Sequence, residues 1–105
     1  MTHIIHNAWK LDFNLALSSY EGLVAGTRNL LNVIAECKNP VKFFFTSSIS
    51  AAAYGWDAGK GPVPEAVLPG ALALHSMGYG ASKYVVERVS ALYIGQMRYL
   101  ICLRF

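Results

Sequence analysis

The stretch Val41-Lys42-Phe43-Phe44-Phe45-Thr46-Ser47 decides the fold of this chain. Aromatic and β-branched residues dominate it without strict alternation, which predicts a strand covered on both faces, as in a parallel sheet. The dipeptide Asn39-Pro40 comes just before it and predicts the end of a helix, because proline cannot continue the helical hydrogen-bond ladder. The stretch is therefore predicted to be a buried strand that follows a helix.

The residues before this strand predict a strand, a loop and a helix. Met1–Asn7 reads as a short buried strand, and residues 7–17 read as a loop. Ser18 and Glu21 have the spacing of a capping box, so a helix is predicted from there to about Cys37. An apolar stripe at steps of three and four supports the helix, and it consists of Leu23, Thr27, Leu30, Leu31 and Ile34.

The residues after the strand predict a long loop, a second helix and a third strand. Residues 49–76 are small, glycine-rich and interrupted by prolines, with one helical turn predicted at Glu65–Leu68. A helix is predicted from Gly78 to about Tyr93, and its core-facing residues are predicted to be Val85, Val89, Leu92 and Tyr93. Tyr99–Phe105 is predicted to be a strand. The order strand, helix, strand, helix, strand predicts an α/β unit with a parallel sheet.

Composition favours a packed domain and argues against nucleic acid and membranes as partners. The chain has 105 residues, of which 54% are hydrophobic and 14% charged, so we expect one packed domain or part of one. A net charge of +3 from scattered basic residues argues against nucleic acid as a partner. No apolar run reaches the roughly 18 to 20 residues that cross a bilayer, and the first residues lack a secretory signal, so a cytoplasmic location away from membranes is expected.

Tyr79 and Lys83 form the most specific chemical pattern. Four residues apart on a helix, they share one face with Cβ atoms roughly 5 to 6 Å apart. The ammonium favours the phenolate and is expected to lower the phenol pKa from its reference of about 10, which makes a proton donor for a carbonyl oxygen. An ordinary amphipathic pair is the alternative.

A hydroxyl cluster, Thr46-Ser47-Ser48, lies at the carboxyl end of the predicted central strand. Ligands of open α/β sheets bind beyond these strand ends, where a hydroxyl can share the negative charge that develops on a carbonyl oxygen. A loop entry rich in serine is the alternative. His3 and His6 offer only two metal ligands and point to opposite faces of a strand, so no metal site is predicted. Trp9 and Trp56 flank the expected crevice, either touching a ligand or, as typical burial favours, packing as covers.

Four segments of the chain carry a recognisable family pattern. They are His6-Asn7-Ala8-Trp9, Gly26-Thr27-Arg28-Asn29-Leu30-Leu31, Phe45-Thr46-Ser47-Ser48-Ile49-Ser50 and Gly78-Tyr79-Gly80-Ala81-Ser82-Lys83-Tyr84-Val85-Val86-Glu87-Arg88. Together they resemble the extended short-chain dehydrogenase/reductases. Among these, the similarity is greatest to the terminal thioester-reductase domains of nonribosomal peptide synthetases and aminoadipate-reductase-like enzymes, over Met1 to about Val89.

The resemblance implies a partial Rossmann-type doubly wound parallel sheet and an NADPH-dependent reduction. The substrate would be an acyl thioester on a carrier protein, released as an aldehyde or reduced further to an alcohol. By motif match, Tyr79 would be the catalytic acid, Lys83 would bind the nicotinamide ribose, and Ser48 would be the catalytic hydroxyl. Asn7 and Ala8 would lie against the cofactor.

The chain also departs from this family. The family begins with a glycine-rich turn, Gly-x-x-Gly-x-x-Gly, whose amides hold the cofactor pyrophosphate, and no such turn occurs in these 105 residues. Residues 1–105 are therefore expected to form a single partial NAD(P)-binding domain without the glycine-rich unit and the substrate region. Two functions stay open: part of a reductase that is inactive alone, or a non-catalytic remnant that associates with itself or another protein through exposed sheet edges.

Overall fold

The computed structural model describes residues 1–53, 61, 78–93 and 99–104. Seven elements follow one another along these residues: strand β1 (His3–His6), a 3-10 turn (Leu17–Tyr20), helix α1 (Glu21–Ala35), strand β2 (Lys42–Ser47), the short helix α2 (Ser50–Ala53), helix α3 (Gly78–Leu92) and strand β3 (Tyr99–Arg104). Part of the predicted loop is thus helical, at α2. The helical turn predicted at Glu65–Leu68, and Trp56, lie outside the described residues.

The three strands form one parallel sheet in the order β1, β2, β3. Phe43 lies at its centre, paired with Ile4 on one side and Leu100 on the other. Parallel neighbours need crossover connections, and α1 joins the first pair. The predicted α/β unit with a partial Rossmann-type parallel sheet is confirmed.

The core lies on one face of this sheet. Alternate side chains of β2 meet both long helices there, in a cluster formed by Leu31, Ile34, Val41, Phe43, Phe45 and Val86. On the opposite face Phe44 is half-buried and Ile5 is 73% exposed. The prediction that β2 is covered on both faces is therefore wrong for the described residues, because α1 and α3 both pack on the Phe43 side.

The first turn of α1 differs from the predicted capping box. The helix begins at Glu21, one turn later than Ser18, and Tyr20 occupies the N-cap position without a side-chain cap bond. Tyr20 is fully buried, and its hydroxyl donates a hydrogen bond to the Asp12 carbonyl oxygen at 2.8 Å. A buried aromatic anchor, rather than a serine cap, thus begins the helix. The predicted stripe is confirmed, with Thr27, Leu31 and Ile34 buried.

Helix α3 has the predicted start but a different buried face. Val86 is fully buried and belongs to the core, whereas Leu92 is 82% exposed. Val85 and Val89 are half-buried and line a groove of about 380 Å³ against α1. The prediction that Val85, Val89, Leu92 and Tyr93 face the core is confirmed for Val89 and Tyr93, which pack partly buried against it, and is wrong for the exposed Leu92. The most buried face of the helix instead carries a polar stripe that consists of Ser82, Lys83, Glu87 and Ser90.

A search of the described residues finds no helix that combines the length and the apolar character needed to cross a membrane.

Candidate functional site

Tyr79 and Lys83 lie on one face of the first turns of α3, as predicted. The Lys83 ammonium is 5.7 Å from the centroid of the Tyr79 ring. Tyr79 is half-buried, and the exposed Phe13 ring meets it edge-on with 5.4 Å between centroids. A phenol with an ammonium at this distance has the groups needed to donate a proton with the assistance of a positive charge.

The Lys83 ammonium is enclosed by protein. The side chain is only 2% exposed, and its Nζ donates a hydrogen bond to the Thr46 carbonyl oxygen at 2.5 Å. The Phe45 and Trp9 ring centroids lie 4.8 and 4.9 Å from Nζ. Burial disfavours the charged form and lowers the Lys83 pKa to about 8 from its ordinary value of 10.5. A substantial fraction of this lysine is therefore neutral at mildly alkaline pH.

Ser48 lies directly after the carboxyl end of β2, and it is 7% exposed. Its Oγ is 2.9 Å from the Ser50 Oγ and accepts a hydrogen bond from the Ser50 backbone N–H at 3.2 Å. These bonds hold the hydroxyl in the turn that leads into α2.

Gly80 brings this turn close to the Tyr79 region of α3. A Cβ atom placed on Gly80 would be 2.8 Å from the Ser50 carbonyl oxygen and 3.0 Å from its Oγ. No side chain fits there without displacing backbone, so the glycine permits the contact between α2 and α3. The structure thus brings the Ser48 turn to the residue that follows Tyr79.

The loop after β1 reaches the start of α3 by a similar close approach. A Cβ atom on Gly78 would lie 2.2 Å from the Leu15 carbonyl oxygen. Asn7 and Ala8, at the beginning of this loop, are exposed. Because the carboxyl ends of parallel strands share one edge of a sheet, Asn7 and Ala8 lie at the same edge as Ser48. They are accessible to a ligand, whereas Lys83 is covered.

His6 and Thr27 belong to the wall of this region, and the sequence reasoning missed their pairing. The His6 Nε2 is 2.8 Å from the Thr27 Oγ1, which itself donates to the Leu23 carbonyl oxygen at 2.9 Å. Because the Thr27 hydroxyl proton is engaged with the Leu23 carbonyl, His6 Nε2 must carry a proton and donate a hydrogen bond to the Thr27 oxygen. Burial and the nearby Lys83 charge lower the His6 pKa below its ordinary 6.5. A polar residue at the end of a strand predicted to be buried was the available signal, although in the structure His3 and Ile5 of that strand are exposed.

Glu87 is a second residue that the sequence reasoning missed. It is fully buried, and its Oε1 accepts a hydrogen bond from the Ser47 Oγ at 2.5 Å. Glu87 follows Lys83 by four residues, as Lys83 follows Tyr79, so all three lie along one stripe of α3. A carboxylate that continues the Tyr-x-x-x-Lys spacing could have indicated it.

The two histidines of β1 do not converge on a metal site. His3 stacks on Phe44, with 6.2 Å between ring centroids, while His6 contacts Phe43 and Phe45 on the other face. They therefore lie on opposite faces of the sheet, as predicted. Over the part of the chain that the structure describes, no group of three or more His, Cys, Asp or Glu side chains could hold a metal ion.

Comparison with known proteins gives a family match over nearly the whole chain. The family model described as "NAD dependent epimerase/dehydratase family" matches residues 3–105. The chain is 54% identical over 89 residues to the adenylate-forming reductase Nps11 of Serpula lacrymans, which is 82% of this chain and 8% of that protein. It is 39% identical over 82 residues to a carboxylic acid reductase of Neurospora crassa, 78% of this chain and 8% of that protein.

A third relative has a different name. The chain is 38% identical over 97 residues to the non-reducing polyketide synthase azaA of Aspergillus niger, which is 84% of this chain and 4% of that protein. The chain thus spans less than a tenth of the length of each of these curated relatives.

Proposed function

Since the chain belongs to the NAD dependent epimerase/dehydratase family, we propose that it forms the central part of a reductase domain that uses NADPH to reduce carrier-bound acyl thioesters. Family membership, with the similarity to fungal reductases, confirms the resemblance drawn from the sequence. The family description implies a nicotinamide cofactor, and the choice of NADPH is part of the proposal. The immediate product is an aldehyde, which in some reductases is reduced again to an alcohol.

The observation that carries this proposal is the meeting of Tyr79, Lys83 and the Ser48 turn at the carboxyl edge of the sheet. The 5.7 Å between the Lys83 ammonium and the Tyr79 ring suits a lysine that promotes proton transfer from the phenol. The Ser48 hydroxyl, held at the end of β2, suits a second hydrogen-bond donor to the same substrate oxygen.

When bound, a reduced nicotinamide would supply the hydride that the thioester carbonyl carbon receives in the proposed reaction. Tyr79 donates its proton to the carbonyl oxygen, while the Ser48 hydroxyl shares the charge that develops there. The resulting hemithioacetal then collapses: the carbon–sulfur bond breaks, the sulfur leaves as a thiol with one proton, and the aldehyde is released. Tyr79 is reprotonated from solvent, so one hydride and one proton are consumed in each cycle.

The residues present fit the nicotinamide–ribose end of such a cofactor only in part. The Thr46 carbonyl takes one of the three N–H donors of Lys83, and the side chain is 2% exposed, so the predicted contact of Lys83 with the ribose is not available in this arrangement. The proposal therefore keeps for Lys83 its assistance to Tyr79. Asn7 and Ala8 are exposed residues at the same sheet edge, as the proposed contact with the cofactor requires. The pyrophosphate end has no glycine-rich turn to bind it in these 105 residues, so we assign that contact to another segment of the parent enzyme.

The test is a Tyr79→Phe substitution in the intact parent reductase. Loss of the phenolic proton should abolish most turnover while cofactor affinity stays close to that of the unsubstituted enzyme. Stopped-flow oxidation of NADPH and equilibrium binding measure the two quantities separately. Unchanged turnover removes Tyr79 from the proposed role.

A second candidate is a non-catalytic interaction module, favoured by the 73% exposure of Ile5 on the sheet face that no described helix covers. Sedimentation of the isolated chain distinguishes the two candidates. Self-association without nucleotide affinity, combined with full activity of the Tyr79→Phe enzyme, would favour the module.

A further inference from the structure

Trp9 is held in place by aromatic rings from three directions. Its ring stacks on Tyr20 with 6.4 Å between centroids and 13° between planes. Phe45 and His6 meet it edge-on, at 5.7 and 5.8 Å. These contacts join β1, β2 and the turn before α1. Edge-on and stacked pairs of this kind are favourable beyond the area that they bury, so the indole has a defined orientation.

A hydrogen-bonded chain ties the same indole to α3. The Trp9 Nε1 donates to the Ser82 Oγ at 3.1 Å, and the Ser82 Oγ donates to the Tyr79 carbonyl oxygen at 2.7 Å. The Ser82 hydroxyl therefore uses its proton on its own helix and accepts from the indole. Ser82 is fully buried and lies next to Lys83. This chain of two hydrogen bonds, called the Trp9–Ser82 tie below, joins residues 73 positions apart and ends at the Tyr79 carbonyl oxygen.

The indole also covers the Lys83 ammonium. The Trp9 ring centroid is 4.9 Å from Nζ, within the distance at which a cation is attracted to an aromatic face. Phe45 lies at a similar distance, 4.8 Å, and the Thr46 carbonyl accepts an N–H at 2.5 Å. Indole, phenyl ring and carbonyl together leave the lysine 2% exposed.

We propose that Trp9 is a positioning residue that holds the Lys83 ammonium against the Thr46 carbonyl and beside Tyr79. The inference rests on the proposed function, in which Lys83 assists proton transfer from Tyr79, and it adds a residue that touches neither the substrate nor the reacting atoms in that scheme. Trp9 does this through two contacts, the ring face on the ammonium and the N–H bond to Ser82.

The titratable groups near Lys83 lie on β1, on α3 and in the turn before α1. His6 lies on β1, Tyr79 and Glu87 on α3, and Tyr20 behind Trp9 in the turn before α1. Burial is the cause of the low Lys83 pKa of about 8. Because Trp9 supplies part of that burial, its removal is expected to raise the Lys83 pKa towards 10.5 even though one cation–π contact is lost.

The experiment follows the Lys83 Nζ by NMR in the 105-residue chain with labelled lysine, and a Lys83→Met variant identifies the signal. We expect a titration midpoint near 8 in the unsubstituted chain and a midpoint closer to 10.5 in Trp9→Leu. Trp9→Phe keeps a ring and should give an intermediate midpoint. Ser82→Ala removes only the tie and should move the midpoint in the same direction by less.

Phe13→Leu is the matched control, because Phe13 is an exposed ring that contacts Tyr79 and contributes no ring contact to the ammonium. Its midpoint should stay near 8. Loss of the cooperative unfolding transition would show that Trp9→Leu does not fold, and the midpoints of Trp9→Phe and Ser82→Ala then test the proposal. Unchanged midpoints in all folded Trp9 and Ser82 variants overturn the proposal.

The outcome is independent of the proposed function, because the titration needs neither cofactor nor substrate. A midpoint that moves while the Tyr79→Phe enzyme stays fully active refutes the reductase proposal and supports the role of Trp9. In an active parent enzyme, Trp9→Phe should shift the pH profile of kcat to higher pH and leave the KM of the acyl substrate unchanged. A purely structural role of Trp9 would not produce that shift.

Discussion

The Ser47 hydroxyl lies 2.5 Å from the Glu87 carboxylate, in a place where Ser47 is 3% exposed and Glu87 is fully buried. Thr46 precedes Ser47 in β2, and its carbonyl oxygen accepts a hydrogen bond from the Lys83 ammonium, also at 2.5 Å. Two successive residues of the central strand are thus bonded to two successive turns of α3. These bonds attach the helix that carries Tyr79 to the strand that directly precedes Ser48.

Removing the Ser47 hydroxyl should destabilise the fold. Ser47→Ala leaves a buried carboxylate oxygen without this donor, and we expect a loss of about 1–3 kcal/mol in the free energy of unfolding, measured in urea. Ser19→Ala, at an exposed serine in the turn before α1, is the control and should change it by less than about 0.5 kcal/mol. Equal effects of the two substitutions would contradict the importance of this bond.

A methyl group on Gly78 should be far more costly than one on Gly22. At Gly78 the added Cβ would lie 2.2 Å from the Leu15 backbone oxygen, whereas at Gly22 nothing lies within 4 Å. Gly78→Ala should therefore lose about 1–3 kcal/mol of stability. Gly22→Ala, inside α1, should gain about 0.5–1 kcal/mol from helix propensity. Thermal and urea unfolding measure both, and a neutral Gly78→Ala would refute the close approach.

Burial of Lys83 should make the chain more stable at mildly alkaline pH. Its pKa is about 8 when folded and 10.5 ordinarily, so between these values the unfolded chain binds more protons and stability rises with pH. The complete difference corresponds to about 3 kcal/mol. Burial also raises the Tyr20 pKa above 10.0, which favours unfolding at still higher pH, so the rise should be sought between pH 8 and 10.

Urea unfolding at several pH values over this window measures the rise. Lys83→Met has no group to titrate and should show a flat profile there. If the free energy of unfolding still rises with pH in Lys83→Met, a group other than Lys83 causes the rise.

His6 should weaken the fold on the acid side. Burial and the Lys83 charge lower its pKa below 6.5, so the folded chain keeps it neutral while the unfolded chain protonates near 6.5. Stability should therefore fall as the pH drops from 6.5 towards the lower folded value. His3→Gln, at an exposed histidine, should keep this slope, and His6→Gln should remove it in urea unfolding between pH 7 and 5. An unchanged slope in His6→Gln would show that another group causes it.

The isolated chain should bind NADPH weakly or not at all. The amides of a glycine-rich turn usually hold the pyrophosphate, and no Gly-x-x-Gly-x-x-Gly sequence occurs in the 105 residues. Titration calorimetry measures the affinity. A micromolar dissociation constant would contradict this prediction, and it would mean that other residues of the chain bind the phosphates.

Local patterns were sufficient for the type and order of the three strands and the two long helices, but not for the short helix α2. The aromatic run at 42–47, the stripe of α1 and the Tyr79–Lys83 spacing each depend on residues within a single strand or helix. The resemblance to extended reductases likewise came from short segments in their order. Proline and glycine marked the boundaries because their backbone preferences act on their nearest neighbours.

By itself the sequence determined the three strands and the two long helices, because hydrophobic period is a property of neighbouring residues. Only the tertiary structure decided which face of α3 is buried, that Tyr20 rather than Ser18 occupies the N-cap position of α1, and that Trp9 covers Lys83. These outcomes depend on side chains far apart in the chain, such as the 73 residues between Trp9 and Ser82. Burial of a lysine or a glutamate is possible only where distant residues supply its partners, and no local pattern contains that information.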